Sequence, residues 1–403
     1  MIAKLEIENF YSIQDHQVLD LVVSGNAPKQ TDHLMETWVG SQQRVPKIIA
    51  IFGANGSGKS NVLRALSFIA WFVEHSFSFP DSNDLPFKPY NDDEHSGKPT
   101  RLKLWLPGLE SPTTQTVQDD KWCMYCYELE ISNGKTQRVR HEAVYFWPPT
   151  TGRRTRLFER FEDGTMKASR TFDLGPEKTL LQRILKPNAS VVSTLAQLNH
   201  AFSNEIVHSA RSVSSNILIA KREPSDPMVF QEYGNRPELV EQLNREISRV
   251  DVGVHAFEVS GSLDGPNLML HHEGLSRPIP FHIESHGTQQ FIRHFPYLVH
   301  ALTDGGVAAI DELDMAMHPV IMGEILRWFR DPERNPHNAQ LWMSCQSLSL
   351  LEDLQKDEIA FCEKDAKGRT DVFSLNDVKA VRRDDNFYRK YMGGHYGALP
   401  LIG

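Results

Sequence analysis

Cysteine is scarce: four in 403 residues. Secreted domains that depend on disulfides use many more, so a reducing, cytoplasmic setting is expected. Positive charge is in deficit too, since 43 Lys and Arg against 52 Asp and Glu leave −9. No global field is available to hold nucleic acid, and any such contact has to be a local patch. Long apolar runs are missing. The longest, Ala65 to Val73 broken by Ser67, is about half of the ~18 residues that would suggest a membrane span. The opening Met1 to Phe10 alternates charged and apolar residues and has no uncharged signal-peptide stretch. A soluble chain without membrane contact is expected. Internal repeats and sustained heptads are also absent. What is present is 40% hydrophobic and 24% charged residues, enough for two to three domains of roughly 150 residues.

Lys4 to Ile13 alternates as a strand, with Leu5 and Ile7 on one face, and opens a first hairpin. Pro46 precedes Lys47-Ile-Ile-Ala-Ile-Phe52, a continuous apolar run of the kind buried on both faces of a mainly parallel sheet. Directly after it, Gly53-Ala54-Asn55-Gly56-Ser57-Gly58-Lys59-Ser60 matches the phosphate-loop pattern G-x-x-x-x-G-K-S. From Asn61 onward Leu63, Leu66, Ala70 and Val73 recur at helical spacing. Strand, glycine loop and helix are contiguous, as that loop requires. Triphosphate oxygens need several donors converging on one point, and Gly53, Gly56 and Gly58 leave the backbone free to supply them. Lys59 is expected to reach the β- and γ-phosphates and Ser60 to ligate Mg²⁺. A second apolar strand, Gly306-Val-Ala-Ala-Ile310, ends in Asp311-Glu312, the Walker B pattern. Ligands of open α/β sheets collect at the carboxyl ends of strands, so Asp311 should emerge beside Ser60 and the metal. Glu312 is then placed to accept a proton from the attacking water.

Between these motifs, residues 77–112 read as loop with one strand at Arg101 to Leu106. Trp122 to Ile131 and Arg138 to Trp147 read as strands joined at Asn133-Gly134, a two-residue turn with positive φ at both central positions. Helical spacing marks Glu177 to Leu185, Ser193 to Phe202 and Pro237 to Val250. The last third returns to strands from Ala256, then a helix at Thr288 to Leu302, a strand at Val307 to Ile310, a helix at Pro319 to Phe329, and strands near Gln340 and Ile359.

This order of motifs resembles the ABC-type ATPase heads of the SMC, RecF and overcoming-lysogenization-defect (OLD) group. Leu5-Glu-Ile-Glu-Asn-Phe-Tyr-Ser-Ile13 is similar to the first strand of those heads, and Ser285-His-Gly287-Thr-Gln289, leading into a helix, to their signature. Leu313-Asp314 resembles the D-loop, and His318-Pro319 completes a run typical of the OLD-like members. On the strand Gln340 to Gln346, Gln346 stands where the group carries a switch histidine, which implies slow turnover or a long-lived ATP-bound state. The tail from Phe387 to Pro400 is similar to that of small RloA-like ATPases of phage-defence loci. The fold implied is α/β: an ABC-ATPase-like head with a mainly parallel core sheet, an antiparallel β meander, a short inserted helical lobe and no long coiled coil. Residues 1–175 and 256–403 would form the two parts of the head, and 176–255 the lobe. The resemblance implies ATP and Mg²⁺ as cofactors. The nucleotide would contact Gly53 to Ser60 and Asn61 in one chain and Ser285 and Gly287 from a second, with Asp314 of the D-loop at the nucleotide and across the interface. Ser60 and Asp311 would hold the metal, and Glu312, Lys59 and Gln346 would act in catalysis. The glutamine that senses Mg²⁺ in such ATPases stays open among Gln115, Gln118 and Gln137.

The implied function is an ATP-hydrolysing switch. Two chains dimerise head to head around ATP-Mg²⁺ and control a separately encoded effector, such as a nuclease, in anti-phage defence. The residues after Glu312 are expected to be needed to finish the head, which leaves a nuclease in trans. A RecF- or SMC-like clamp on DNA and a low-turnover scaffold sequestering a toxin are the alternatives. Three other signals carry less. Cys123 and Cys126 have zinc-knuckle spacing, but on a strand they point apart. His271-His272-Glu273 faces the same objection. Arg153, Arg154, Arg156, Arg160, Lys167 and Arg170, interleaved with Phe158 and Phe161, form the one basic stretch able to meet DNA or an acidic partner.

Overall fold

The computed structural model describes residues 1–23, 31–112, 121–217, 219, 226–250, 253–262 and 265–399. The chain begins with β1 (Lys4–Glu8), β2 (Gln17–Asp20), β3 (Leu34–Glu36), β4 (Arg44–Pro46), β5 (Ile48–Phe52), α1 (Lys59–His75) and β6 (Thr100–Leu109). A meander follows in β7 (Trp122–Asn133), β8 (Gln137–Trp147), β9 (Thr155–Phe161) and β10 (Met166–Ala168). Then come α2 (Glu177–Ile184), α3 (Val191–Ala196), α4 (Ala201–Arg211), the short β11 (Val213–Ser215), α5 (Asp226–Asn235) and α6 (Pro237–Val250). The strands β12 (Val254–Ser262), β13 (Gly265–His272) and β14 (Ile279–Pro280) form a small sheet ahead of α7 (His286–Asp304). The chain finishes with β15 (Val307–Ile310), α8 (Pro319–Arg330), β16 (Gln340–Ser344), β17 (Ile359–Lys364), β18 (Thr370–Ser374) and α9 (Phe387–Met392).

Two large sheets sandwich α1. One is antiparallel and seven-stranded, in the order β10-β9-β8-β7-β6-β1-β2. The other has six strands in the order β11-β15-β16-β5-β17-β18 and is parallel except for its last pair. Because β5 and β16 are central and covered on both sides, all five residues of each are buried. Alternate side chains divide between two cores, as the period of a strand dictates. Ile49, Ile51, Ala309 and Trp342 face the core shared with α1, whereas Ile48, Ala50, Ile310 and Met343 join Phe291, Phe295, Ile325 and Leu326 of α7 and α8. The architecture is therefore the α/β arrangement expected from the motifs. Among the described residues the longest helix, α7, has 19 residues, and none extends into a coiled coil.

Two local expectations are corrected. The hairpin at Asn133 exists, but the closing pair is Asn133 with Gln137. The loop is three residues long, and neither Asn133 nor Gly134 takes a positive φ. The helix expected from Ser193 to Phe202 is two helices. The chain breaks at Asn199, whose φ is 58°, and His200 caps α4 by accepting from the Ser203 N–H. The discounted cysteines behave as core residues: Cys123 and Cys126 are buried, and burial pushes the Cys123 thiol up to about 12. Among the described residues no cluster of His, Cys, Asp and Glu suits a metal ion. None of the described helices is long and apolar enough to cross a membrane.

Candidate functional site

The phosphate loop leaves the carboxyl end of the central strand β5 and enters α1 at Lys59. Its helix start has Gly58 at the cap, no capping side chain and no acidic residue in the first turn. The first N–H groups and the positive dipole end are thus left for an anion. Gly53 and Gly58 both have positive φ, and each lies against the C-terminal hairpin. A Cβ on Gly53 would strike the Cys362 carbonyl, and one on Gly58 the Thr370 side chain. Thr370 also donates to the Ser57 carbonyl at 2.7 Å, and the Lys364 ammonium donates to the Gly56 carbonyl at 2.9 Å. Lys59 is buried and folds onto the loop, donating to the Gly53 and Ala54 carbonyls at 2.9 and 3.2 Å. Asn61 donates to Ser12 at 2.7 Å.

Across the loop stands the end of β15. The Ser60 hydroxyl donates to the Asp311 carboxylate at 3.0 Å. The Ser344 hydroxyl, at the end of β16, donates to the same carboxylate oxygen at 2.5 Å and accepts from the Glu312 N–H at 2.7 Å. Glu312 has a φ of 54°, the left-handed conformation that a residue with a Cβ adopts only when its surroundings fix it. Its carboxylate accepts from the Gln346 amide at 2.9 Å. Asp314 is buried, and one of its oxygens accepts from the backbone N–H groups of Gln346 and Ser347, at 2.8 and 2.5 Å. Burial pushes the Asp314 carboxyl above its ordinary range, against the two N–H groups that favour its charged form. Ser60 and Asp311 supply hard oxygen donors, one hydroxyl and one carboxylate. This suits Mg²⁺, which takes one or two protein ligands and completes its shell with phosphates and water. The buried Ser57 hydroxyl has no hydrogen-bond partner among the described residues, so an incoming phosphate oxygen would satisfy it.

Ser285 and Gly287 stand apart from this cluster. Ser285 is exposed and caps α7, its hydroxyl accepting from the Thr288 N–H. A Cβ on Gly287 would lie 2.7 Å from the carbonyl of Ala316, so the absence of a side chain lets the turn after Asp314 pack on the start of α7. His318 is a cap as well: its imidazole accepts from the Val320 N–H, with Pro319 opening α8.

Residues 48–104 and 145–352 match the model of the family described as "AAA domain, putative AbiEii toxin, Type IV TA system". The match spans well over half of the chain. The chain belongs to this family. Solved structures similar to it include the SMC head domain from Thermotoga maritima, with 14% identity, a TM-score of 0.40 and coverage of 93% of this chain and 98% of that one. Another is an SMC head bound to the C-winged helix domain of ScpA, with 12% identity, a TM-score of 0.43 and coverage of 93% and 97%. No curated protein sequence matches. Membership of this AAA family implies nucleotide binding with a divalent metal.

Within this AAA head, sequence reasoning missed Ser344, Thr370 and Asn216. Ser344 had a signal, a polar residue closing a central strand after the apolar Leu341-Trp-Met343 and two positions before Gln346. Thr370 and Asn216 had none. Of the three glutamines left open as metal sensor, Gln115 and Gln118 lie outside the described residues, and Gln137 donates to Asn133 in its own hairpin. The basic stretch is largely spoken for. Arg154 pairs with Glu128 at 2.7 Å, and Arg156 with Glu159 at 3.2 Å. Arg160 departs from the expectation of a surface cation: it is buried, donates to the Ala189 and Lys186 carbonyls and lies 3.9 Å from the buried Glu142.

Proposed function

We propose that the chain is a slow ATPase switch. The observation that carries the reading is the convergence of Ser60, Asp311, Glu312 and Gln346, joined by hydrogen bonds, beside the start of α1. Ser60 and Asp311 would hold Mg²⁺, which would supply positive charge against the triphosphate. Lys59 exchanges the Gly53 and Ala54 carbonyls for phosphate oxygens, and Glu312 accepts the proton of the attacking water. Gln346 restrains the Glu312 carboxylate with a neutral amide and adds no positive charge to the transition state, which supports low turnover and a long-lived bound state. Ser285 of the signature is exposed and Gly287 half-buried, and we read this start of α7 as the part that a second copy uses to complete the site. Head-to-head dimerisation therefore makes ATP occupancy a signal. The family description, a putative AbiEii toxin of a type IV toxin–antitoxin system, supports a role in such a two-component system, and we read the chain as controlling a separately encoded effector or toxin in defence against phage. With Arg154, Arg156 and Arg160 already engaged, the basic stretch favours no DNA clamp.

Nucleotide binding and steady-state hydrolysis test the reading. Lys59→Ala is expected to abolish ATP binding, and Glu312→Gln to keep ATP bound while lowering kcat by about 100-fold or more. Gln346→His is expected to raise kcat. Wild-type turnover in Glu312→Gln would remove Glu312 from its role.

A further inference from the structure

At the end of β15 the sheet ladder stops, yet the chain there stays fixed from both sides. On the β16 side the Ser344 hydroxyl takes the Glu312 N–H. On the β11 side, the parallel pairing ends at Ser215 with Ala309, and the side chain of the next residue, Asn216, continues it. Its carbonyl oxygen accepts from the Asp311 N–H at 2.8 Å, and its amide donates to the Asp311 carbonyl at 3.0 Å. One primary amide thus occupies both backbone groups of the residue whose carboxylate faces Ser60, in place of a strand's peptide unit. The same amide nitrogen lies 3.4 Å from Nε2 of His294. His294 is buried on α7, about two and a half turns beyond Ser285 at the start of that helix, and its Nδ1 has no hydrogen-bond partner among the described residues. Among the described residues the contact to Asn216 is thus the one hydrogen bond of this buried ring.

We propose that Asn216 is a positioning residue for the metal-binding carboxylate of Asp311, and that His294 ties it to α7, so that a shift of the signature helix is felt at the metal site of the same chain. The proposal rests on the ATPase reading above. Residues that hold a metal ligand in place typically contribute 10- to 100-fold in metal affinity, so loss of the Asn216 amide should be read there first. His294 Nε2 acts as acceptor, and a glutamine oxygen reaches a similar position.

The test uses the full chain with ATP and Mn²⁺ as the metal probe, free Mn²⁺ being read by electron paramagnetic resonance. ATP binding is measured in parallel in chelator, and folding is followed by circular dichroism. Asn216→Ala is expected to weaken Mn²⁺ binding about tenfold while metal-free ATP binding stays at the wild-type level. His294→Ala should move Mn²⁺ affinity in the same direction, and His294→Gln should restore it. A folded Asn216→Ala with wild-type Mn²⁺ affinity overturns the proposal. If Asn216→Ala fails to fold, the His294 pair decides: restoration by glutamine supports the link, and equal affinities in His294→Ala, His294→Gln and wild type overturn it. Wild-type chain that binds neither ATP nor Mn²⁺ overturns the ATPase reading and this proposal together, whereas wild-type binding with indifferent variants overturns this proposal alone.

Discussion

The Ser344 hydroxyl accepts from the Glu312 N–H and donates to the Asp311 carboxylate, so one oxygen sets the spacing of the two acidic residues to which the proposed ATPase reading assigns metal binding and proton transfer. Ser344→Ala would leave that N–H unpaired on a residue already in the left-handed region, at a cost of about 1–3 kcal/mol. We expect kcat to fall about tenfold with little change in metal-free ATP binding, checked by steady-state hydrolysis beside a thermal melt. A second prediction concerns His294, whose ring burial, aided by the neighbouring Arg293 charge, lowers its pKa to about 4 from an ordinary 6.5. Its folded pKa is depressed, so the unfolded chain binds the proton more readily. Stability from this group is complete above pH 6.5 and is lost as pH falls toward 4, by on the order of 3 kcal/mol. Urea unfolding at several pH values should show that slope in wild type and its reduction in His294→Gln. An equal slope in both would refute the assignment.

The β17–β18 hairpin acts as the backing of the phosphate loop. Cys362 places a carbonyl against Gly53, Thr370 bonds the Ser57 carbonyl, and Ser12 beyond β1 donates to the Thr370 hydroxyl at 2.8 Å. This explains why a loop of small residues keeps its shape before any phosphate is bound. Thr370→Val preserves the side-chain shape and removes both hydroxyl bonds. It should raise the KM for ATP and destabilise the chain by about 1–3 kcal/mol, read by nucleotide titration and by melting without nucleotide; an unchanged KM would show that the glycines suffice. The loop's pattern was legible because its eight residues are contiguous. Its backing was not, since Thr370 lies 313 residues from Ser57. The helix split at Asn199 was likewise hidden, because apolar spacing continues through the break.

At the scale of the molecule, two sheets share α1, and their junction is held by Gln340. Its carbonyl accepts from the Ile2 N–H and the Trp342 indole, at 2.9 and 3.1 Å, and its amide donates to the Ile2 and Pro46 carbonyls, at 3.2 and 3.0 Å. The residue is fully buried, so all four partners depend on it. Gln340→Leu should cost roughly 3 kcal/mol or more by leaving them unpaired, seen as a lower urea midpoint with an unchanged slope. A variant as stable as wild type would mean that the junction is held by apolar packing alone. From composition and motif order the α/β class and the parallel core were legible, since buried strands and amphipathic helices write their period into neighbouring residues.

The phosphate-loop pattern and the strand that ends in acidic residues could be read without coordinates, because both are patterns of adjacent residues whose backbone geometry is local. Tertiary structure alone decided what holds Asp311 and Glu312 at their angles. Asn216 stands 95 residues from Asp311, and Ser344 stands 33 from it. A hydrogen bond that short in space but that long in chain exists only once the sheet has set β11, β15 and β16 side by side.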